Sequence, residues 1–443
     1  MSLSHYYAET DLNAENLLRL PAEFGCPVWV YDAHIIRRQI AALQQFDVVR
    51  FAQKACSNIH ILRLMRAQGV KVDSVSLGEI ERALAAGYDP QTCPDDIVFT
   101  ADVIDAATLA RVSELHIPVN AGSVDMLTQL GQVSPGHRVW LRVNPGFGHG
   151  HSQKTNTGGE NSKHGIWHSD LPAALAVMQK YRLKLVGIHM HIGSGVDYGH
   201  LEQVCGAMVR QVLECGQDVE AISAGGGLSI PYREGEEPVD TRHYYGLWNA
   251  AREQIARHLG HAVKLEIEPG RFLVAQSGVL VTQVRSVKQM GSRHFVLVDA
   301  GFNDLMRPAM YGSYHRISAL AADGRALENG PWVETVVAGP LCESGDVFTH
   351  ENGPWVETVV AGPLCESGDV FTQQEGGMVE TRALPAVIPG DYLVLHDTGA
   401  YGASMSSNYN SRPLLPEVLF DNGQARLIRR RQTIEELLAL EMF

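Results

Sequence analysis

Eight short β-branched runs alternate with amphipathic stretches between residues 48 and 270, and no other feature constrains this chain as strongly. The runs are VVRFAQ (48–53), KVDSVS (71–76), DIVFTA (96–101), IPVNAGS (117–123), VWLRVNP (139–145), KLVGIHMHIG (184–193), VEAISAGGG (219–227) and VKLEIEPG (263–270). Between them lie NIHILRLMRAQG, LGEIERALAAG, DAATLARVSEL, DLPAALAVMQKY, HLEQVCGAMVRQVLECG and YGLWNAAREQIARHLG. Apolar residues three and four apart mark these as helices. Eight strand–helix units over such a length predict a (β/α)8 barrel. A doubly wound open sheet is the rival arrangement.

The texture changes after residue 271. GVLVTQVRSVKQM, RHFVLVDAG, YHRISALAA, WVETVVAG, DYLVLHD and QARLIRRRQ follow one another without long helices and are punctuated by Gly, Pro, Asn and Asp. They predict an antiparallel β domain, which the early strand CPVWVYD joins. The expected division is a barrel over 35–280, with 1–34 and 281–443 forming the β domain. The basic run LIRRRQ reads as a solvated strand edge.

One segment breaks the pattern. ENGPWVETVVAGPLCESGDVFT occupies 328–349 and recurs unchanged at 351–372, with only His350 between the copies. This 22-residue duplication is too short an array for a solenoid. The β domain has room for one such strand in register, so the other copy must loop out. Closing so long a loop costs on the order of 2–3 kcal/mol. The larger hazard is exposure of the apolar, β-prone run VETVVAGPL.

Composition narrows the function classes. Asp plus Glu number 50 against 36 Lys plus Arg, a net charge of −14, which disfavours nucleic acid and anionic membrane as partners. The N-terminus lacks an apolar signal core, and no run of 18 apolar residues suggests a membrane span. The seven cysteines are scattered without a CxxC pair, which suits a reducing cytoplasm and speaks against a disulfide framework or structural zinc. Cys26, Cys56, Cys93, Cys205 and Cys215 read as buried or helix-face residues.

In a barrel of this type, chemistry gathers at the C-terminal strand ends. The first run ends at Lys54. The second carries Asp73 and Ser76, and the fifth Arg142 and Asn144. The sixth carries His189, His191 and Ser194, the seventh Gly225, Gly226 and Gly227, and the eighth Glu268, Gly270 and Arg271. This concentration predicts an enzyme. A lysine partly desolvated in a barrel mouth has a lowered pKa and can attack a carbonyl to form a Schiff base; the plainer alternative is a solvated surface lysine. The three glycines let backbone N–H groups approach an anion, and loops after strands seven and eight are this fold's usual phosphate site. A tight turn is the plainer alternative. His189 and His191 share a face and could bind zinc or stack on an aromatic ring. Glu268 ends an apolar strand, where a charge needs a cationic partner such as a protonated pyridine nitrogen. The constellation reads as a pyridoxal phosphate site.

These residues sit in motifs that resemble the diaminopimelate decarboxylase family, fold-type III pyridoxal phosphate enzymes related to ornithine decarboxylase and, more distantly, alanine racemase. The motifs are FAQKACSN, VDSVSLGEIERALAAG, RVNPGFGHGH, HMHIGSG, SAGGGLSIPY, EIEPGRFLVA, DAGFNDLMRPAMYGSYH, AGPLCESGDVF and DTGAYGASMSSNYNSRP, and they cover nearly the whole chain. FAQKACSN departs from the commoner YAVKAN but keeps the lysine. The resemblance implies an alanine racemase-like fold and pyridoxal 5'-phosphate covalently held by Lys54. It implies His191 on the ring face and Glu268 at the ring nitrogen, with Ser194, Gly227, Gly270 and Tyr401 at the phosphate. Arg271, Arg307 and Tyr311 would recognise the substrate's distal carboxylate end. In CESGD, the cysteine (Cys342 or Cys365) would protonate the carbon that loses CO2, and the glutamate (Glu343 or Glu366) would meet the distal ammonium. The motif reaches the site from a second subunit in the family, which implies a homodimer with shared sites. The expected reaction converts meso-2,6-diaminopimelate to L-lysine and CO2, the last step of lysine biosynthesis. The alternatives are a decarboxylase of another basic amino acid or polyamine precursor, an amino-acid racemase, and a cofactor-binding copy disabled by its duplication. The first copy, with Cys342, is favoured because it emerges earlier and can pair with the YHRISAL strand.

Overall fold

The computed structural model describes residues 10–147, 158–191, 197–291, 293–327, 332–338, 363, 369, 371–374 and 380–442. The chain divides into two compact units, one of residues 38–230 and 237–273, the other of 1–37, 231–236 and 274–443.

Strand β1 (Val28–Asp32) belongs to the second unit. The first unit is built on β2 (Val48–Ala52), β3 (Lys71–Ser74), β4 (Ile97–Ala101), β5 (Val119–Ala121), β6 (Arg138–Asn144), the two-residue β7 (Ile166–Trp167), β8 (Lys184–His189), β9 (Ala221–Ser223) and β10 (Lys264–Ile267). All the pairings are parallel. β7 pairs only with β6, and the other eight form a ring in the order β2-β3-β4-β5-β6-β8-β9-β10 and back to β2. The pairing of Val119 with Val139 and Ala121 with Leu141 excludes the open-sheet rival, which would leave β5 and β6 as edges. All eight runs read from the sequence are the eight ring strands.

The helices follow for local reasons. Asn58, Ser76, Asp105, Ser123, Asp197 and Asp240 each stand before a helix and accept a backbone N–H from its first turn, which satisfies a donor the helix cannot. The helix Val124–Val133 was not among the stretches singled out by spacing; it buries Met126, Leu127 and Leu130. At the N-terminal strand ends, buried Arg50 pairs with Glu266 at 2.9 Å and donates to the Asp95 carbonyl at 2.8 Å.

The second unit holds β1, β11 (Gly278–Met290), β12 (Arg293–Val298), β13 (Ile317–Leu320), β14 (Trp332–Ala338), β15 (Arg382–Pro385), β16 (Tyr392–Leu395), β17 (Glu417–Asp421) and β18 (Gln424–Arg429). The order is β15-β14-β12-β11-β1-β17-β18, with β16 joining β11 to β13. CPVWVYD does enter this sheet, antiparallel to β11. Most pairings are antiparallel, but β1 with β17 and β12 with β14 run parallel. The helix Ala14–Phe24, capped by Asn13, lays Leu17 and Leu20 on the core of Val28, Val30, Val279, Val281, Val418 and Phe420. The basic run ends β18 at the sheet's edge, as expected.

The duplication is taken up by both copies. β14 comes from the first copy and lies between β12 and β15. From the second copy, Asp369 is buried and its Oδ1 accepts the Phe302 amide, while Phe371 and Thr372 are buried beside it in sequence. The expected pairing of the first copy with the YHRISAL strand is not made. That strand is β13, and its partner is β16, because β16 supplies four consecutive antiparallel partners from Ile317 to Leu320.

Candidate active site

Lys54 stands on a single 3-10 turn, Gln53–Ala55, directly after β2. Gln53 fixes that turn from below: it is fully buried, and its Nε2 donates to Ser74 Oγ at 2.7 Å and to the Glu79 carbonyl at 3.1 Å. The lysine side chain itself is exposed. The desolvation expected from the sequence is therefore not seen at this side chain, which follows the last residue of β2, Ala52, on the 3-10 turn. Its charge still acts on Asp73, Glu79 and His191.

The two histidines of HMH have different surroundings. His191 Nδ1 accepts the Gly226 amide at 3.0 Å. Burial, then the charges of Arg142 and Lys54, hold its pKa well below the usual histidine value, so the ring is neutral and flat with one nitrogen already spent. His189 is buried and its Nε2 lies 2.6 Å from Glu268 Oε2. Ser223 Oγ donates to the other oxygen, Oε1, at 3.2 Å. Burial alone would raise the Glu268 pKa, but the charge and hydrogen bond of His189 outweigh it and bring the carboxyl down to about 2. Within the chain the Glu268 carboxylate is thus held by His189, which from the sequence could have bound zinc or stacked on a ring. Among the described residues, no group of three His, Cys, Asp or Glu side chains is placed to hold a metal ion.

The glycines make this packing possible. Gly225 has φ +62°, and a Cβ there would lie 2.5 Å from the Met190 carbonyl oxygen; one on Gly226 would lie 2.6 Å from the Glu268 carbonyl oxygen. Gly227 follows with φ +101°. Gly270 brings the end of β10 against Ala52 and Ala55, where a Cβ would meet the Ala52 oxygen at 3.2 Å.

Asp73 is buried at the end of β3, with Oδ1 lacking a hydrogen-bond partner. Burial and then the Glu268 charge push its pKa up to about 7. Two buried carboxylates that act on each other do not both ionise cheaply, and the higher pKa of the two is that of Asp73. Arg142 is also buried and adds its charge beside Asp102 and His191. Ser76 and Asn144 have structural work: Ser76 caps a helix, and Asn144 accepts the Gly146 and Gly159 amides. Asp102 was not singled out from sequence. It binds His164 Nδ1 at 2.6 Å and the Gly165 amide at 2.9 Å.

Lys54, Asp73, His191, Gly225, Gly226, Gly227, Glu268, Gly270 and Arg271, the first residue of the helix Arg271–Val274, therefore belong to one unit. Arg307, Tyr311 and Tyr401 belong to the other. There, buried Arg307 donates to His315 Nε2 at 2.9 Å and lies 5.1 Å from the Tyr232 ring centre. Tyr401 has φ +59°. Ser194, Cys342, Glu343, Cys365 and Glu366 lie outside the described residues. Of the five cysteines read as buried or helix-face, Cys56, Cys205 and Cys215 are buried and Cys26 is half-buried; Cys93 instead is exposed, in the turn where its amide bonds the Asp89 carbonyl.

An anionic carboxylate, a neutral imidazole face, an unpartnered buried Asp73 oxygen and a glycine turn with no room for side chains fit pyridoxal phosphate. A family model described as "Pyridoxal-dependent decarboxylase, pyridoxal binding domain" matches residues 32–275, and one described as "Pyridoxal-dependent decarboxylase, C-terminal sheet domain" matches 350–399. The barrel and sheet are thus those of a pyridoxal-dependent decarboxylase, and the cofactor is pyridoxal 5'-phosphate. A diaminopimelate decarboxylase of Escherichia coli (strain K12) is 84% identical over 442 residues, covering 100% of both chains. A crystal structure of diaminopimelate decarboxylase, also 84% identical, matches with a TM-score of 0.93 over 100% of this chain and 99% of its own. The Helicobacter pylori diaminopimelate decarboxylase complexed with L-lysine matches with a TM-score of 0.79 at 29% identity, over 96% of this chain and 98% of its own. The chain belongs to the diaminopimelate decarboxylase family.

Proposed function

We propose that this chain removes CO2 from meso-2,6-diaminopimelate to leave L-lysine, with residues 35–280 holding the cofactor. The observation that carries the reading is the buried Glu268 carboxylate, held by His189 and Ser223 and kept well below its ordinary pKa, while Asp73 with its unpartnered Oδ1 is raised to about 7. An anion fixed at Glu268 suits a protonated ring nitrogen, and bound pyridoxal phosphate supplies the electron sink for the pair left behind by departing CO2.

The chain's own residues divide the remaining tasks. Lys54, at the end of the first barrel strand, would hold the cofactor through its amine. His191, neutral and held by Gly226, gives the ring a flat face. Asp73, as a carboxylic acid, offers a donor. Gly225, Gly226, Gly227, Gly270, Ser194 and Tyr401 would hold the cofactor, mainly at its phosphate. Arg271, Arg307 and Tyr311 take the distal carboxylate, and the glutamate of CESGD takes the distal ammonium; a site built on such pairs rejects substrates that lack either group. The cysteine thiol of CESGD gives its proton to the carbon that has lost CO2 and recovers one from solvent. Cys365 is the better assignment than Cys342. Four residues after Cys365, Asp369 is tied to the Phe302 amide, and the family's sheet-domain model covers 350–399. The motif serves the site of a second copy, so the working form is a homodimer.

Purified protein incubated with pyridoxal phosphate and meso-diaminopimelate is expected to release lysine and CO2 in equal amounts. CO2 from ornithine or lysine but not from diaminopimelate would reassign the substrate, and bound cofactor without turnover would mark a copy disabled by its duplication. Cys365→Ala is expected to abolish turnover while Cys342→Ala retains it. Two fully active single variants would remove the assigned role.

A further inference from the structure

His189 has no part in the reaction as set out above, yet it is among the most enclosed polar groups of the barrel. It ends β8, in register with Ser223 on β9. Ser223 is in turn one strand from β10, which runs into Glu268. Three adjacent strands thus bring imidazole, hydroxyl and carboxylate together. Glu268 is gripped on every side: Nε2 of His189 at Oε2, 2.6 Å; the Ser223 hydroxyl at Oε1, 3.2 Å; and its own amide on the Gly225 carbonyl, 2.8 Å. A carboxylate has about four lone-pair sites, so these two bonds leave room for a further donor.

We infer that His189 is a positioning residue: by its hydrogen bond to Oε2 it aims the Glu268 carboxylate and makes Glu268, rather than Asp73, the member of the pair that stays anionic. The inference rests on the reading of Glu268 as the partner of the cofactor's ring nitrogen. Its physical basis is competition for one proton. Asp73 and Glu268 are both buried and each opposes ionisation of the other. Asp73 has Thr100 and the more distant Lys54 charge to favour its anion, whereas Glu268 has a direct bond to an imidazole. Without His189 the preference is lost, and a proton can settle on Glu268. The ring nitrogen would then face a neutral acid.

The test uses holoenzyme loaded with pyridoxal phosphate carrying 15N in the ring. Wild-type protein is expected to give the ring-nitrogen resonance of the protonated form. His189→Leu is expected to move it toward the unprotonated position and to lower kcat on the order of 10- to 100-fold, as loss of a ligand's supporting partner does elsewhere, with KM little changed. His189→Asn, too short to reach Glu268, carries the same expectation should the leucine variant not fold. His189→Gln, long enough to donate to Oε2, is expected to recover most of the wild-type resonance, which a merely structural role would not predict. A wild-type resonance in the leucine or asparagine variant overturns the inference. Glu268→Gln separates the two readings. If it leaves the resonance unmoved, Glu268 is not the ring's partner; if it moves the resonance while the His189 variants do not, only the role of His189 fails.

Discussion

At the scale of single residues, the site works by assigning charge. Asp73 and Glu268 have similar chemistry and similar burial, and their pKa values part because only one of them has an imidazole at 2.6 Å. The consequence for stability has opposite signs. Asp73, raised from 3.8 to about 7, favours the folded state fully below about pH 4, and that contribution is lost as pH rises through 7. Glu268, lowered from 4.5 to about 2, favours folding above its unfolded value and loses that contribution as pH falls toward 2. In cofactor-free protein, Asp73→Asn is therefore expected to be least competitive with wild type at pH 4 and to gain on it steadily up to pH 7, measured as the difference in Tm. A constant difference across that range would refute the assignment. Gly226→Ala places a methyl 2.6 Å from the Glu268 carbonyl oxygen and is expected to cost about 1–3 kcal/mol, read from urea unfolding, with weaker cofactor retention.

At the scale of elements, the eight barrel strands were legible because each is a compact apolar run, and six of them are followed by a capping residue and a helix. The helix Ala14–Phe24 was not, since Pro21 lies inside it and a proline within a helical pattern argues against a helix. The strands Arg382–Pro385 and Glu417–Asp421 were missed for a similar reason: a Pro ends one, and Pro416 precedes the other. The strand ends singled out Lys54, Asp73, His191 and Glu268, which belong to one unit of the structure. The role of His189 was hidden, because its partner is two strands away in the ring and 79 residues away in the chain. Gln53 was hidden likewise, its partners lying on β3 and the helix after it. The opposite end of the barrel carries its own stake. Arg50 is buried against Glu266, and Arg50→Ala would leave that carboxylate buried and unpaired. A loss of about 3–5 kcal/mol is expected by denaturant titration; a loss under 1 kcal/mol would contradict the pairing.

At the scale of the whole molecule, the duplication is the feature that separates this chain from an ordinary member of its family. Because the copies are identical and one residue apart, deleting 328–350 or 350–372 yields the same protein. Of the described parts of the segment, only β14, from the first copy, pairs in the sheet, while Asp369, Phe371 and Thr372 of the second are buried. The shortened chain is thus expected to keep its turnover. It should also unfold at higher denaturant, by a loop contribution on the order of 2 kcal/mol, and aggregate less on heating. A less stable or inactive deletion would mean that both copies are needed. The claim on which the rest depends is narrower: that the amine at the end of the first barrel strand is the cofactor's attachment point. Reducing the loaded protein with borohydride and mapping the labelled peptide tests it directly. The pyridoxyl group is expected on Lys54, within the peptide containing FAQKACSN; its recovery on another lysine, or on none, would contradict the account.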